Sequence, residues 1–152
     1  VITPWSHVKM ILGRLASIFA FCVVVFCFGA LGFWTADRKP PVEVLATDLI
    51  TKEVAPGGEL LVKRTVSRDR QCATKVDRIF VDSQGFRYVL DNQSFSIFGP
   101  LGTDSYVTST PVPMQMAKGP AKYYAAVEYN CNPVQAVWPI RRSSVPIDFI
   151  VR

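Results

Sequence analysis

Charged residues are missing from the chain between Leu15 and Trp34, and the run is apolar on every side. At ~1.5 Å rise per residue a helix of this length spans roughly 30 Å, the thickness of a bilayer's hydrocarbon core. Phe and Val surround it, whereas an amphipathic helix on a soluble core keeps a polar stripe. Trp34 stands where an aromatic ring favours the headgroup level, and Arg38 and Lys39 follow. The pattern predicts a transmembrane helix at 15–34, an N-terminal tail at 1–14 and a stiff, Pro-rich linker at 35–41. The run is long for the apolar region of a cleaved signal, so an anchor is expected.

From Val42 onward the apolar period falls to two. Val42 to Val54 holds one or two extended segments. Ala55-Pro56-Gly57-Gly58 then supplies Pro and Gly where a type II turn needs them. In Glu59–Val66, Leu60, Val62 and Val66 share one parity. Lys75–Val81 and Phe86–Leu90 flank the turn-rich Asp82-Ser83-Gln84-Gly85 and predict a hairpin, with Phe86, Tyr88 and Leu90 on one face. The stretch from Asn92 to Pro120 is irregular, with one short strand expected around Tyr106 to Thr110. Lys122–Cys131 is the clearest strand: Tyr123, Ala125, Val127, Tyr129 and Cys131 alternate with polar or small residues. A last strand, Val145–Val151, turns Val145, Ile147, Phe149 and Val151 inward. Seven or so short strands without a second helix predict an all-β domain at 42–152, an antiparallel β-sandwich.

Cys72 and Cys131 are this domain's cysteines; it has no His and no Cys-x-x-Cys, so zinc and redox readings lack partners. A long-range disulfide is the economical reading, two separate buried thiols the alternative. A disulfide requires an oxidising compartment, placing the N-terminus in the cytoplasm and the domain in the periplasm or outside the cell. Basic residues on the two sides of the helix are nearly balanced and do not decide.

Cys72, Cys131 and the sequence Tyr129-Asn130-Cys131 resemble the immunoglobulin-like superfamily, in which a tyrosine stands two residues before the second cysteine. The resemblance covers Val42–Arg152 at the level of fold and implies a bridge between two sheets. Phe86 or Tyr88 would pack on it in place of the missing Trp. Fibronectin-like and jelly-roll arrangements stay open, and no activity is implied.

Net charge is +5, but Lys9 and Arg14 belong to the helix region, which leaves the β domain only a small excess. Lys63, Arg64, Arg68, Arg70, Lys75 and Arg78 form a candidate basic patch, diluted by Asp69 and Asp77. It suits anionic headgroups or a solvated face; nucleic acid is not the expected partner. Carboxylates are scattered singly and no phosphate-loop, zincin or nucleophile-elbow motif occurs, so neither catalysis nor a cofactor is expected. The loop after the clearest strand is unusually apolar and ends in paired arginines. Val137, Trp138, Ile140, Arg141 and Arg142 are its candidate partner-binding residues, Trp and Arg being enriched at interface hot spots. The alternative is a lid over the core. The expected function is a non-catalytic, single-pass interaction or structural module in a bacterial envelope or phage (virion-associated) complex. Its partners would be proteins and membrane lipid, with oligomerisation open. A lipid- or membrane-surface-binding protein is the alternative, and a small envelope enzyme ranks last.

Overall fold

The computed structural model describes residues 4–97 and 99–152, and the side chains of the first helix from Ile11 onward. The chain divides into two compact units, residues 1–38 and 39–152. The first is helix α1, Pro4–Ala36. Its segment Ile11–Ala36 is long and apolar enough to cross a membrane. Phe19, Phe26 and Phe28 stand out from it, each over 70% exposed. The helix overruns 15–34 at both ends, so the expected tail is helical from Pro4, and of that tail only residues 1–3 lie outside the described residues. Loss of charge marks where hydrocarbon is tolerable, whereas a helix ends only where its backbone is broken. Pro4 is tolerated in the first turn and no proline follows until Pro40.

Among the described residues the second unit holds ten strands in two sheets. One is three-stranded, in the order β1 (Val42–Leu49), β3 (Glu59–Arg68), β7 (Gly102–Pro111), all antiparallel. The other runs β2 (Glu53–Val54), β10 (Ile147–Val151), β8 (Gly119–Asn130), β4 (Ala73–Val81), β5 (Arg87–Val89). Here β6 (Gln93–Phe95) pairs with β4 and β9 (Ile140–Ser143) with β8. One pair, β2 with β10, is parallel, so this sheet is mixed rather than antiparallel throughout. A short helix, α2 (Pro133–Val137), links β8 to β9.

The sheets face each other across a core at one end. Leu60 and Val62 of β3 and Val112 after β7 meet Phe80 of β4, Ala121 and Tyr123 of β8, and Phe149 and Val151 of β10. The Phe80 ring lies 4.9 Å from that of Tyr123 and 5.7 Å from that of Phe149. Strict alternation in β8 and β10 produces this face, as their pattern predicts. Val145 is the exception: it precedes β10 and is exposed. Turn chemistry closes the same end. Gly57 takes φ +79° after Pro56, and Gly58 N donates to Ala55 O at 2.9 Å, the geometry of a type II turn.

Three expectations are corrected. Strand β7 spans ten residues within a stretch that reads as irregular, because its Thr, Ser and Val positions gain a full ladder on β3. The expected stiff linker at 35–41 runs into the β domain at its end: Pro41 is fully buried, and Lys39 belongs to that domain, its Nζ 2.5 Å from Asp69 Oδ2. The hairpin arm β5 is only three residues long, and Phe86 is exposed rather than inward. The turn before it is organised by Asp82, a buried carboxylate. Its Oδ1 accepts from Gln84 N (3.0 Å) and Phe86 N (2.9 Å), its Oδ2 from Tyr88 Oη (3.1 Å) and Ala117 N (3.3 Å). Burial works against its charge, but those bonds outweigh burial and hold the carboxyl below the usual range.

Candidate functional site

Cys72 and Cys131 form a disulfide. Cys72 immediately precedes β4 and Cys131 immediately follows β8, and the register pairs Ala73 with Asn130. The bridge therefore staples neighbouring strands of one sheet, with Cα atoms 4.6 Å apart. It does not cross between sheets as the immunoglobulin pattern requires. Phe86 and Tyr88 cannot pack on it, because they follow the opposite end of β4.

At the bridged end the sheets part instead of closing. Along β3 the inward parity that buries Leu60 and Val62 continues as Arg64, Val66 and Arg68, which are 9%, 1% and 5% exposed. Facing them, β4 presents Val76 and Arg78, and β8 presents Ala125, Val127 and Tyr129. Between these faces lies an open cleft of about 780 Å³. Six valines line its mostly apolar walls, with Val42 and Val44 of edge strand β1 at one side and Arg142 of β9 at the other. Four arginines line it against one carboxylate, Asp104, among the described residues.

The arginines are not equivalent. Arg68 Nη1 donates to Asp104 Oδ2 at 3.1 Å and to Pro100 O at 3.5 Å, so its charge is compensated. Arg78 Nη2 donates to Asp91 O at 3.3 Å, while its Nε is buried without a hydrogen-bond partner. Arg64 lies over the Tyr123 ring, 5.8 Å from the centroid, and its Nη2 is buried with no hydrogen-bond partner in the protein. A ring face offsets part of a buried charge but does not accept its N–H. Burial pushes the neighbouring Tyr129 phenol up to about 12, with Tyr106 adding and the nearby arginines opposing, so it stays a neutral donor.

The expected basic patch is thus divided by strand parity. Arg64, Arg68 and Arg78 line the cleft, while Lys63 alternates to the outer face of β3. Lys75 lies opposite Glu128 in the register, and Arg70 Nη2 donates to Lys39 O at 2.5 Å. The expected contact loop is divided too. Asn132 caps α2, its Oδ1 accepting from Gln135 N at 3.0 Å, and the fully buried Gln135 accepts from Cys131 N at 2.9 Å. On this support Val137 is 91% and Trp138 57% exposed. Ile140, by contrast, pairs with Tyr129 in the ladder and is buried, so it belongs to the interior rather than to a contact surface. Arg141 pairs with Glu128 at 2.7 Å on the outer face, and Arg142, opposite Val127, turns to the cleft. What sequence reasoning missed is the cleft itself. Its signal was legible in the unbroken parity Leu60, Val62, Arg64, Val66, Arg68, where two charges occupy interior positions.

No family model matches the chain, and no curated protein matches it in sequence. Among solved structures it is similar to a Pseudomonas fluorescens alkylpurine DNA glycosylase, AlkC, bound to DNA containing an abasic site analog. That likeness has 12% identity and a TM-score of 0.46, over 74% of this chain and 30% of the other. It is also similar to Spo0M, a sporulation control protein from Bacillus subtilis, at 13% identity and a TM-score of 0.43, over 75% of this chain and 50% of the other. The chain thus spans half or less of each structure, and at these TM-scores the likeness carries no argument about function.

Proposed function

We propose that this protein is a single-pass, membrane-anchored, non-catalytic binding module whose β domain lies on the oxidising side of the membrane and binds through the cleft between its sheets. The observation that carries this reading is Arg64: a buried charged side chain at an interior position of β3, in a cleft whose exposed surface is mostly apolar, with Nη2 unpaired. Stability does not call for such a group, since an apolar side chain there would cost less. Its presence is accounted for by something that enters. The volume and the apolar walls with few convergent polar groups are typical of ligand sites. The disulfide supports the oxidising side.

The test is native mass spectrometry of the full-length chain released gently from its own membranes, compared with Val127→Trp. The wild type is expected to carry a bound mass that the variant, with its cleft filled and its circular dichroism unchanged, has lost. Equal occupancy in both would refute the cleft as the site. The anchor is tested separately. Full-length protein should stay in the membrane fraction through an alkaline carbonate wash, and its release would refute the span.

A second reading, docking of a protein partner, is favoured by the exposed Val137–Trp138 pair beside the capped helix. If the pair is a contact surface, Trp138→Ala should leave the melting temperature within about 2 °C, as a surface substitution does, while abolishing partner capture. A drop of more than about 5 °C would instead make Trp138 part of the domain's packing.

A further inference from the structure

The proposed function leaves the chemistry of the ligand unspecified, and three features of the cleft constrain it. The first is charge. The partner that the buried Nη2 of Arg64 lacks is a hydrogen-bond acceptor, and a guanidinium favours an anion. Arg68 already has Asp104, Arg142 is exposed and Arg78 is only half-buried with Asp91 O as a partner, so Arg64, the buried one, is the receiving group. The second is the wall, where Val44, Val66, Val76 and Val127 offer apolar surface and no hydrogen bonds.

The third is the backbone behind the wall. Strand β3 is paired on both sides, by β1 and β7, and β8 is paired by β4 on one side and by β9 and β10 on the other. Their amides and carbonyls are committed within the sheets. A peptide laid between the two faces, rather than along the edge of β1, would bury its own N–H and C=O groups without backbone partners on β3 or β8. An acyl chain has none to satisfy.

We propose that the cleft binds a single-chain anionic amphiphile, an acyl chain carrying a carboxylate or a phosphate, with the anion on Arg64 and the chain along the valines. The assignment rests on the cleft being the binding site and adds what fills it. Size agrees: at ~30 Å³ per heavy atom, an amphiphile of about twenty atoms needs roughly 600 Å³, against a cleft of about 780 Å³.

The experiment titrates the delipidated full-length chain, in maltoside micelles, with palmitate, lysophosphatidate, hexadecanol and inorganic phosphate, reading bound species by native mass spectrometry. One equivalent of an acyl acid is expected, with hexadecanol at least tenfold weaker and inorganic phosphate not retained. Whichever acid binds more tightly identifies the headgroup. Arg64→Gln should weaken the acids at least tenfold and leave hexadecanol unchanged, and Arg64→Lys should recover part of the loss; circular dichroism monitors folding of both. Equal binding of hexadecanol and palmitate, full acid binding by Arg64→Gln, or no binding of either acid would overturn the assignment. A co-purifying mass lost in Val127→Trp that proves to be an acidic peptide would also overturn it, while leaving the binding module standing. If no mass is lost and no amphiphile binds, both fall.

Discussion

Opening the Cys72–Cys131 bridge, by reduction or by Cys131→Ala, is expected to destabilise the β domain by about 2–5 kcal/mol, the usual range for a native disulfide in a small secreted domain. The two cysteines are 59 residues apart in sequence, so the bridge closes a long loop, and loop-closure entropy alone places its effect at about 4 kcal/mol. Location adds to this. The bridge sits at the end of the β4–β8 ladder where the sheets have parted, so Val76 and Tyr129 face the cleft and not the core cluster that holds Phe80 and Tyr123. Loss of the bridge should therefore fray β4 from Ala73 first. Hydrogen exchange should rise at Thr74–Asp77 before it rises in β10, and the urea midpoint of the full-length chain should fall. An unchanged midpoint with both thiols shown to be free would refute this role for the bridge.

The same geometry explains what was and was not legible in the chain. Alternation in β8 and β10 is complete because every inward position holds an apolar or aromatic residue, in core and cleft alike, and a period of two reports that directly. In β3 the inward face has two environments. Leu60 and Val62 face the core, Arg64 and Arg68 face the cleft, and a rule that charge means surface assigns the arginines to the wrong side. That the cysteines pair is legible from the absence of other partners for them. Which sheets they join is not, since pairing of β4 with β8 is settled by tertiary packing and not by local pattern. Strand β7 is missed for a similar reason: Thr103 to Thr110 gains its order from a ten-residue ladder on β3, forty-odd residues away. Within the contact loop, Ile140 reads as exposed only until β9 is recognised. Once Tyr129 is its partner, parity turns Ile140 inward and leaves Val137 and Trp138 outside.

The two ends of the sandwich should respond to mutation in opposite ways. At the closed end, Phe80→Ala is expected to cost about 3–5 kcal/mol, as large-to-small changes at aromatic core positions do. Phe80 is fully buried, packs on Tyr123 and Phe149, and belongs to a cluster drawn from both sheets that cannot collapse around the gap without moving strands. At the open end, Arg64→Met keeps the bulk of the stem along Tyr123 and removes the unpaired Nη2, whose burial costs about 1–3 kcal/mol. That variant should match or exceed the wild type in urea midpoint when no ligand is bound, and fall below it when the cleft is filled, because a ligand that binds only the folded state adds its own stabilisation. Urea titrations of both variants in maltoside micelles, before and after delipidation, supply the comparison. If Arg64→Met loses stability in the empty protein as Phe80→Ala does, Arg64 is a packing residue. The case for a site that trades stability for binding would then be lost with it.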